Sequence, residues 1–252
     1  MLCTLRMKAV VLAAGEGTRL RPRTETIPKP LVEVNGKPIL SHCFDSLLET
    51  GITDAVVVVG YRKSDIVGRY DDSYRGMDLE YVEQEARKGL AHAVLTAECK
   101  IDSDFVVVNG DNVYRGNLPE AVTVHRSSDA EITMLVEEVS RDEAKLGAVC
   151  ETDESVEVTG IVEKPDDPPS KIAPAAFYVL PPETFAACKV IKPSERGEYE
   201  LPDAIDLLIH AGFRTRLLHF EGWKVNVNNE EDVETAETKL RDVGSEGLGN
   251  KN

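Results

Sequence analysis

Four groups of side chains in this sequence have the types and spacing for phosphate chemistry. The first is Gly15, Gly17, Arg19, Arg21 and Lys29, where the apolar run Ala9-Val10-Val11-Leu12 breaks into small residues and then into cations. Glycine lets backbone N–H groups come close to a ligand. A strand that ends in bare N–H groups plus guanidinium suits an anion, most simply a phosphate. A plain strand-to-helix turn has no need of the arginine or the lysine. The second is Asp111, in Asn109-Gly110-Asp111-Asn112, directly after Phe105-Val106-Val107-Val108. Gly-Asp-Asn suits a tight turn, but a carboxylate just past a central strand is also placed to hold a metal on phosphates. Mg²⁺ takes one or two carboxylates and leaves its other positions to phosphate and water. The third is Gln84, whose amide offers a donor and an acceptor together, as the edge of uracil or thymine requires, though the same position also suits a plain solvent-exposed turn residue; Gly89 can bring backbone to the same ring. The fourth is Glu163-Lys164, an acceptor beside a cation, which fits a sugar 1-phosphate as well as it fits a weak surface ion pair.

Spacing removes two rival phosphate loops. A Walker A loop needs Gly-x-x-x-x-Gly-Lys-[Ser/Thr], and no lysine follows Gly17 at the right distance. The dinucleotide fingerprint needs a third small residue three positions after Gly17, and that position is Leu20.

These residues need a scaffold, and the pattern around them supplies one. The run from Met7 reads as a strand buried on both faces. Ile39, Leu40, Phe44, Leu47 and Leu48 have helical spacing over Pro38 to Thr50, closed by Gly51. A strand at Ala55 to Val59, a short helix at Ser64 to Tyr70 with Ser64 as a candidate cap, and a strand at Leu79 to Val82 follow. The order β-α-β-α-β predicts a doubly wound, mostly parallel sheet. Phe105 to Val108 is a buried strand, Leu118 to Arg126 a helix and Glu131 to Glu138 a strand. Then Gly147 to Cys150, Val156 to Glu163 and Ala175 to Leu180 read as strands without full helices between them, a mixed extension that covers the substrate. A helix runs from Asp203 to His210. Residues 230–240 form a final helix, and 243–252 read as a disordered tail.

Composition narrows the function. A chain of 252 residues with 42% hydrophobic residues has a real core. No apolar run approaches the ~20 residues of a membrane span. The five cysteines are far apart and form no metal cluster, which fits free thiols in a reducing cytoplasm. The net charge of −16 argues against nucleic acid as a partner. Phosphate ligands must then be held by local positive charge. Such a surface suits a high-salt interior, or is simply that of an acidic protein.

Taken together, Ala13-Ala14-Gly15-Glu16-Gly17-Thr18-Arg19-Leu20-Arg21-Pro22, Lys29-Pro30-Leu31 and Gly36-Lys37-Pro38-Ile39-Leu40 resemble the signature of the sugar-1-phosphate nucleotidylyltransferases, closest to the glucose-1-phosphate uridylyl- and thymidylyltransferases. The resemblance covers about residues 7–240. It implies an α/β fold with a Rossmann-like mixed sheet flanked by helices, in one domain over 1–242 with a nucleotide-binding half (7–128) and a sugar-phosphate-binding half (129–242). It implies transfer of a nucleotidyl group from a pyrimidine nucleoside triphosphate to a sugar 1-phosphate, releasing pyrophosphate. UTP and glucose 1-phosphate are favoured; dTTP or another hexose 1-phosphate is the alternative.

The resemblance also implies site roles. Ala13, Ala14, Gly15, Gly17 and Thr18 line the nucleotide, Arg19 and Lys29 serve catalysis, and Gln84 with Gly89 reads the base. His92 stands where many members carry Gln. Gly147, Glu163, Lys164, Arg196 and Glu198 meet the sugar phosphate. Ala176 stands where glycine is common. Asp111 is the metal ligand, with Mg²⁺ the expected cofactor. The second metal aspartate of the family is replaced by Asn226, in Asn226-Val227-Asn228-Asn229, so Asn226 is kept as the ligand, with Asn228 in its place, or Asp111 and the nucleotide alone, as the alternatives. The neutral amide also suits a regulatory nucleotide-binding module without turnover. Many members add a β-helix after this point; this chain ends before one, so any homo-oligomer is expected to use the catalytic domain.

Overall fold

The computed structural model describes residues 6–153 and 157–246. The strands β1 (Lys8–Ala13), β2 (Asp54–Val59), β3 (Met77–Glu83) and β4 (Phe105–Asn109) come first, linked by α1 (Ile39–Glu49), α2 (Lys63–Tyr70) and α3 (Leu90–Thr96). Next are β5 (Asn112–Gly116), α4 (Leu118–Ser127) and β6 (Ile132–Glu138). A hairpin of β7 (Ala148–Thr152) and β8 (Val158–Glu163) leads to β9 (Ile172–Leu180), α5 (Glu183–Val190) and α6 (Leu201–His210). The described chain closes with β10 (Thr215–His219), β11 (Gly222–Asn226) and α7 (Glu230–Glu246).

The main sheet has eight strands in the order β10-β6-β9-β4-β1-β2-β3, with the short strand Ser73–Tyr74 at the far edge. β1 is parallel to both β2 and β4, with Val10 opposite Val56 and Val107. β9 is antiparallel to β4 and β6, while β10 is parallel to β6. This is the mixed, mostly parallel sheet flanked by helices that the pattern predicts.

The apolar runs are buried on both faces because the side-chain period of a strand is two. Val11, Val57, Val106 and Phe177 pack on one face under α1 and α4. Val10, Val56, Val107 and Tyr178 pack on the other under α3, α5 and α6. Each fully buried valine contributes roughly 1.5–3 kcal/mol relative to exposure. A third cluster joins Leu20, Val32, Ile39, Val113, Val225 and Val227. It fastens the end of the glycine loop to the antiparallel ribbon of β5 and β11, where Asn112 lies opposite Asn226.

Several expectations change. Ser64 does not cap α2: the cap position is Arg62, in the left-handed region, and its side chain makes no capping bond. Helices α3 and α5 and strands β5, β10 and β11 add to the elements read from the pattern. The final helix extends to Glu246, into the stretch read as a tail; residues 247–252 lie outside the described residues, as do 154–156, where the expected Val156 strand start falls. Among the described residues no helix is long and apolar enough to cross a membrane.

Candidate active site

The carboxyl ends of β1, β3 and β4 place the three central groups, as open α/β sheets place ligands. After β1 the chain leaves the sheet at Ala14, both alanines being buried, and turns at Gly15 and Gly17. A Cβ on Gly15 would meet nothing within 4 Å, so its backbone faces open space. Gly17 is different. Its φ of 65° is left-handed, and a Cβ there would lie 2.7 Å from Lys29 Cβ. Its carbonyl accepts from Thr24 Oγ1 at 2.7 Å. Gly17 is therefore needed for close packing on the Lys29 stem, and Gly15 for access. Thr18 and Arg19 follow, exposed, in a 3-10 turn.

Lys29 is 6% exposed. Its ammonium donates to Asp111 Oδ2 at 2.7 Å and to Asn228 Oδ1 at 2.8 Å. Arg19 Nη2 reaches the same Asn228 oxygen at 3.4 Å. A buried cation needs such partners, since an unpaired charge is costly out of water. Asp111 is held by its backbone as well, its carbonyl accepting from Val227 N–H at 3.1 Å. The side chain that meets Lys29 beside Asp111 is thus that of Asn228. Asn226 is exposed and contributes its carbonyl, which accepts from Asn228 Nδ2 at 3.2 Å.

The donor set suits a divalent ion. Asp111 Oδ1 is buried and has no hydrogen-bond partner, a costly state for a carboxylate oxygen unless a cation meets it. No group of three or more His, Cys, Asp or Glu able to hold a metal occurs among the described residues. The remaining ligands would then come from a neighbouring amide oxygen, phosphate and water, all of which Mg²⁺ accepts.

Gln84 is buried at the end of β3, its N–H donating to Val59 carbonyl at 2.8 Å. Its amide nitrogen donates to Gly89 carbonyl at 3.1 Å and to His92 Nδ1 at 3.0 Å. Gly89 has a φ of 100°, and a Cβ there would lie 2.5 Å from Tyr199 carbonyl oxygen. The reason is a backbone strap: Tyr199 N–H donates to Lys88 carbonyl at 2.7 Å and Ala91 N–H to Tyr199 carbonyl at 2.9 Å. The Gln84 turn is thereby tied to the 194–201 segment. The salt bridge from Arg87 to Glu16 joins the same turn to the glycine loop.

A cleft of about 240 Å³ is lined by Ala14, Gly15, Gln84, Gly89, Asp111 and Glu198. Residues expected at both substrates therefore share one cavity. A groove of about 440 Å³ near Phe213 and Arg216 is larger but contains none of the expected residues.

Among the residues expected to meet the sugar phosphate, Gly147 leaves open space, and its carbonyl accepts from Lys164 N–H at 3.0 Å. Arg196 Nη2 donates to Glu200 Oε1 at 2.7 Å and to Glu163 Oε1 at 3.3 Å, and Lys164 Nζ lies 3.8 Å from Glu163. Burial and the neighbouring Glu200 push the Glu163 carboxyl up, against the pull of Lys164 and Arg196. The sequence reading did not include Glu200, which is 4% exposed and takes Arg196 four residues away. Ala176 has a left-handed φ of 57°, at the register shift where β9 breaks from β6. Its carbonyl accepts from Tyr114 Oη at 2.9 Å.

Comparison with known proteins identifies the family. The family model described as nucleotidyl transferase matches residues 8–245. The chain is 49% identical to UTP–glucose-1-phosphate uridylyltransferase AglF of Haloferax volcanii, over 94% of this chain and 97% of that protein. It is 37% identical to glucose-1-phosphate thymidylyltransferase of Streptomyces antibioticus, over 94% of this chain and 67% of that one. The crystal structure of a UDP-glucose pyrophosphorylase complexed with UDP-glucose superposes with a TM-score of 0.86 at 26% identity, covering 95% of this chain and all of that one, 100%. By sequence and fold, the chain belongs to the nucleotidyl transferase family, with glucose-1-phosphate uridylyl- and thymidylyltransferases among its relatives.

Proposed function

We propose that the protein transfers a uridylyl group from UTP to glucose 1-phosphate, giving UDP-glucose and pyrophosphate. The observation that carries the reading is the convergence of Lys29, Asp111 and Asn228 at one end of the cleft whose other walls are Gly15 and Gln84. The 49% identity to a uridylyltransferase over nearly the whole chain favours UTP over dTTP. An oxygen of the sugar phosphate attacks the α-phosphorus in line, a new P–O bond forms, and the α–β P–O bond breaks with its electrons leaving on pyrophosphate. The attacker is already ionised at neutral pH, so the protein's task is positioning and charge neutralisation.

In this reading the backbone at Gly15 and Gly17 with Arg19 holds the triphosphate, and Lys29 offsets charge that develops at the α-phosphate. Lys164 and Arg196 orient the sugar phosphate; Glu163, Glu198 and the Gly147 backbone take the sugar. Arg196 is held by two carboxylates, so it acts on the sugar phosphate only within that triad. Asp111 through Oδ1, with Asn228 or Asn226, would hold Mg²⁺, which supplies charge neutralisation on the phosphate oxygens when bound. Free thiols at Cys43, Cys99, Cys150 and Cys188 suit a reducing cytoplasm.

The experiment is pyrophosphate release with Mg²⁺ across UTP, dTTP, CTP, ATP and GTP, each with glucose, galactose, mannose and N-acetylglucosamine 1-phosphates, and product mass measured. The highest kcat/KM for UTP with glucose 1-phosphate is the expected result. A preference for dTTP, or for another sugar, would move the assignment to that pair.

A further inference from the structure

The hydrogen bonds around Gln84 fix which of its two polar atoms can face a ligand. Gln84 Nε2 lies 3.1 Å from the carbonyl oxygen of Gly89 and 3.0 Å from His92 Nδ1. A carbonyl only accepts, so the atom facing Gly89 is the amide nitrogen, and the usual ambiguity between the two ends of an amide is removed. That nitrogen's second hydrogen goes to His92. His92 Nδ1 is then an acceptor, and its ring proton sits on Nε2. Burial, with Lys88 nearby, lowers the pKa of His92 below the ordinary 6.5, which keeps the ring in the neutral form this bond needs. With both amide hydrogens taken, Oε1 is what Gln84 has left for a ligand in the cleft that it lines.

An acceptor at that position matches the N3–H of uracil or thymine. It confronts the N3 lone pair of cytosine. Gly89 takes one hydrogen whatever residue 92 is, since its acceptor is backbone. His92 takes the other; without it, the amide is anchored at Gly89 alone and its second N–H, left without an acceptor, competes for the ligand.

We propose that His92 is a positioning residue for base selection: by accepting from Gln84 it holds the amide with its oxygen toward the base, admitting the keto pyrimidines and rejecting cytosine. The inference rests on the proposed use of a pyrimidine triphosphate and adds the residue that sets the choice among pyrimidines.

The test uses the full chain with Mg²⁺ and glucose 1-phosphate and compares UTP with CTP in the wild type, His92→Leu and His92→Gln. His92→Leu is expected to raise the KM for UTP while kcat holds, and to lower the UTP:CTP ratio of kcat/KM about tenfold or more, the worth of a misdirected hydrogen bond. His92→Gln returns an acceptor oxygen and is expected to restore the ratio. An unchanged ratio in His92→Leu overturns the proposal. So does a ratio lost in His92→Leu and not recovered in His92→Gln, because that pattern belongs to packing. Should the leucine variant fail to fold, His92→Lys, which has donors and no acceptor, poses the same question. Absence of UTP turnover in the wild type is a failure of the functional reading; calorimetric binding of UTP against CTP to the same variants still reads the selection.

Discussion

At the scale of single residues, the site is a set of charges each compensated by a named partner. Lys29 is the clearest case, nearly buried and bonded to Asp111 and Asn228. Replacing it with alanine removes the cation proposed to act on developing charge and leaves Asp111 without its counter-charge. We expect Lys29→Ala to lower kcat by about 10²–10³ while the KM for glucose 1-phosphate changes little; unchanged turnover would remove Lys29 from the chemistry.

Glu163 gives a prediction with a sign. Its carboxyl is pushed above the ordinary 4.5 in the folded protein, first by burial and then by Glu200. A carboxylate with a raised folded-state pKa binds its proton more tightly in the native state than in the unfolded one. Its ionisation therefore costs stability as pH rises from 4.5 through the raised value. Glu163→Gln is expected to unfold at a higher urea concentration than the wild type at pH 7. That advantage should shrink as pH falls toward 4.5, while sugar-phosphate turnover is impaired at both ends. Urea midpoints measured across the range decide it, and an advantage that grew on acidification would contradict the burial argument.

At the scale of elements, a strained residue sits in β9. Ala176 occupies a left-handed backbone position that glycine takes without steric cost. Ala176→Gly should stabilise the protein by about 0.5–1 kcal/mol, read as a higher urea midpoint with an unchanged slope; a lower midpoint would mean that the methyl group packs favourably enough to outweigh the strain.

The elements also show what the sequence reveals and what it withholds. The loop after β1 and the aspartate after β4 are legible because each is local: an apolar run, a break, and a charged residue within a few positions. Helix α3 escapes the pattern because its buried residues are the small Ala91, Ala93 and Val94, and α5 because its buried Phe185, Ala187 and Cys188 follow two prolines and end at an exposed Val190. Strand β10 escapes because its residues are only half-buried or exposed at the sheet edge. The choice between Asn226 and Asn228 is not local at all. It depends on Lys29, some 199 positions away in the chain, and on how the β5–β11 ribbon presents the two amides. The partnership of Glu200 with Arg196 was within reach, since the two are four residues apart, but nothing in the sequence marks Glu200 as buried. His92 gains its meaning only from the distance to Gln84.

At the scale of the whole molecule, residues far apart in the sequence, from Ala14 to Glu198, line one cleft. The sheet supplies the glycine loop, Gln84 and Asp111 from three parallel strands. The 194–201 segment crosses from the sugar side and is strapped to the Gln84 turn through Tyr199. A chain of net charge −16 must gather cations where an anion binds. Arg19 and Lys29 stand together at Asn228, and Lys164 and Arg196 stand together at Glu163. Arg19 and Lys29 outnumber Asp111 beside the glycine loop, whereas Lys164 and Arg196 are matched by Glu163 and Glu200, so the local positive excess lies at the glycine loop.

The measurement that tests this account most directly is a crystal structure of the protein soaked with UTP and Mn²⁺, the anomalous signal locating the metal. The account predicts the triphosphate along Gly15 to Arg19, the uracil N3–H on Gln84 Oε1, and an anomalous peak on Asp111. A triphosphate bound away from the glycine loop, or a metal peak remote from Asp111, would contradict it.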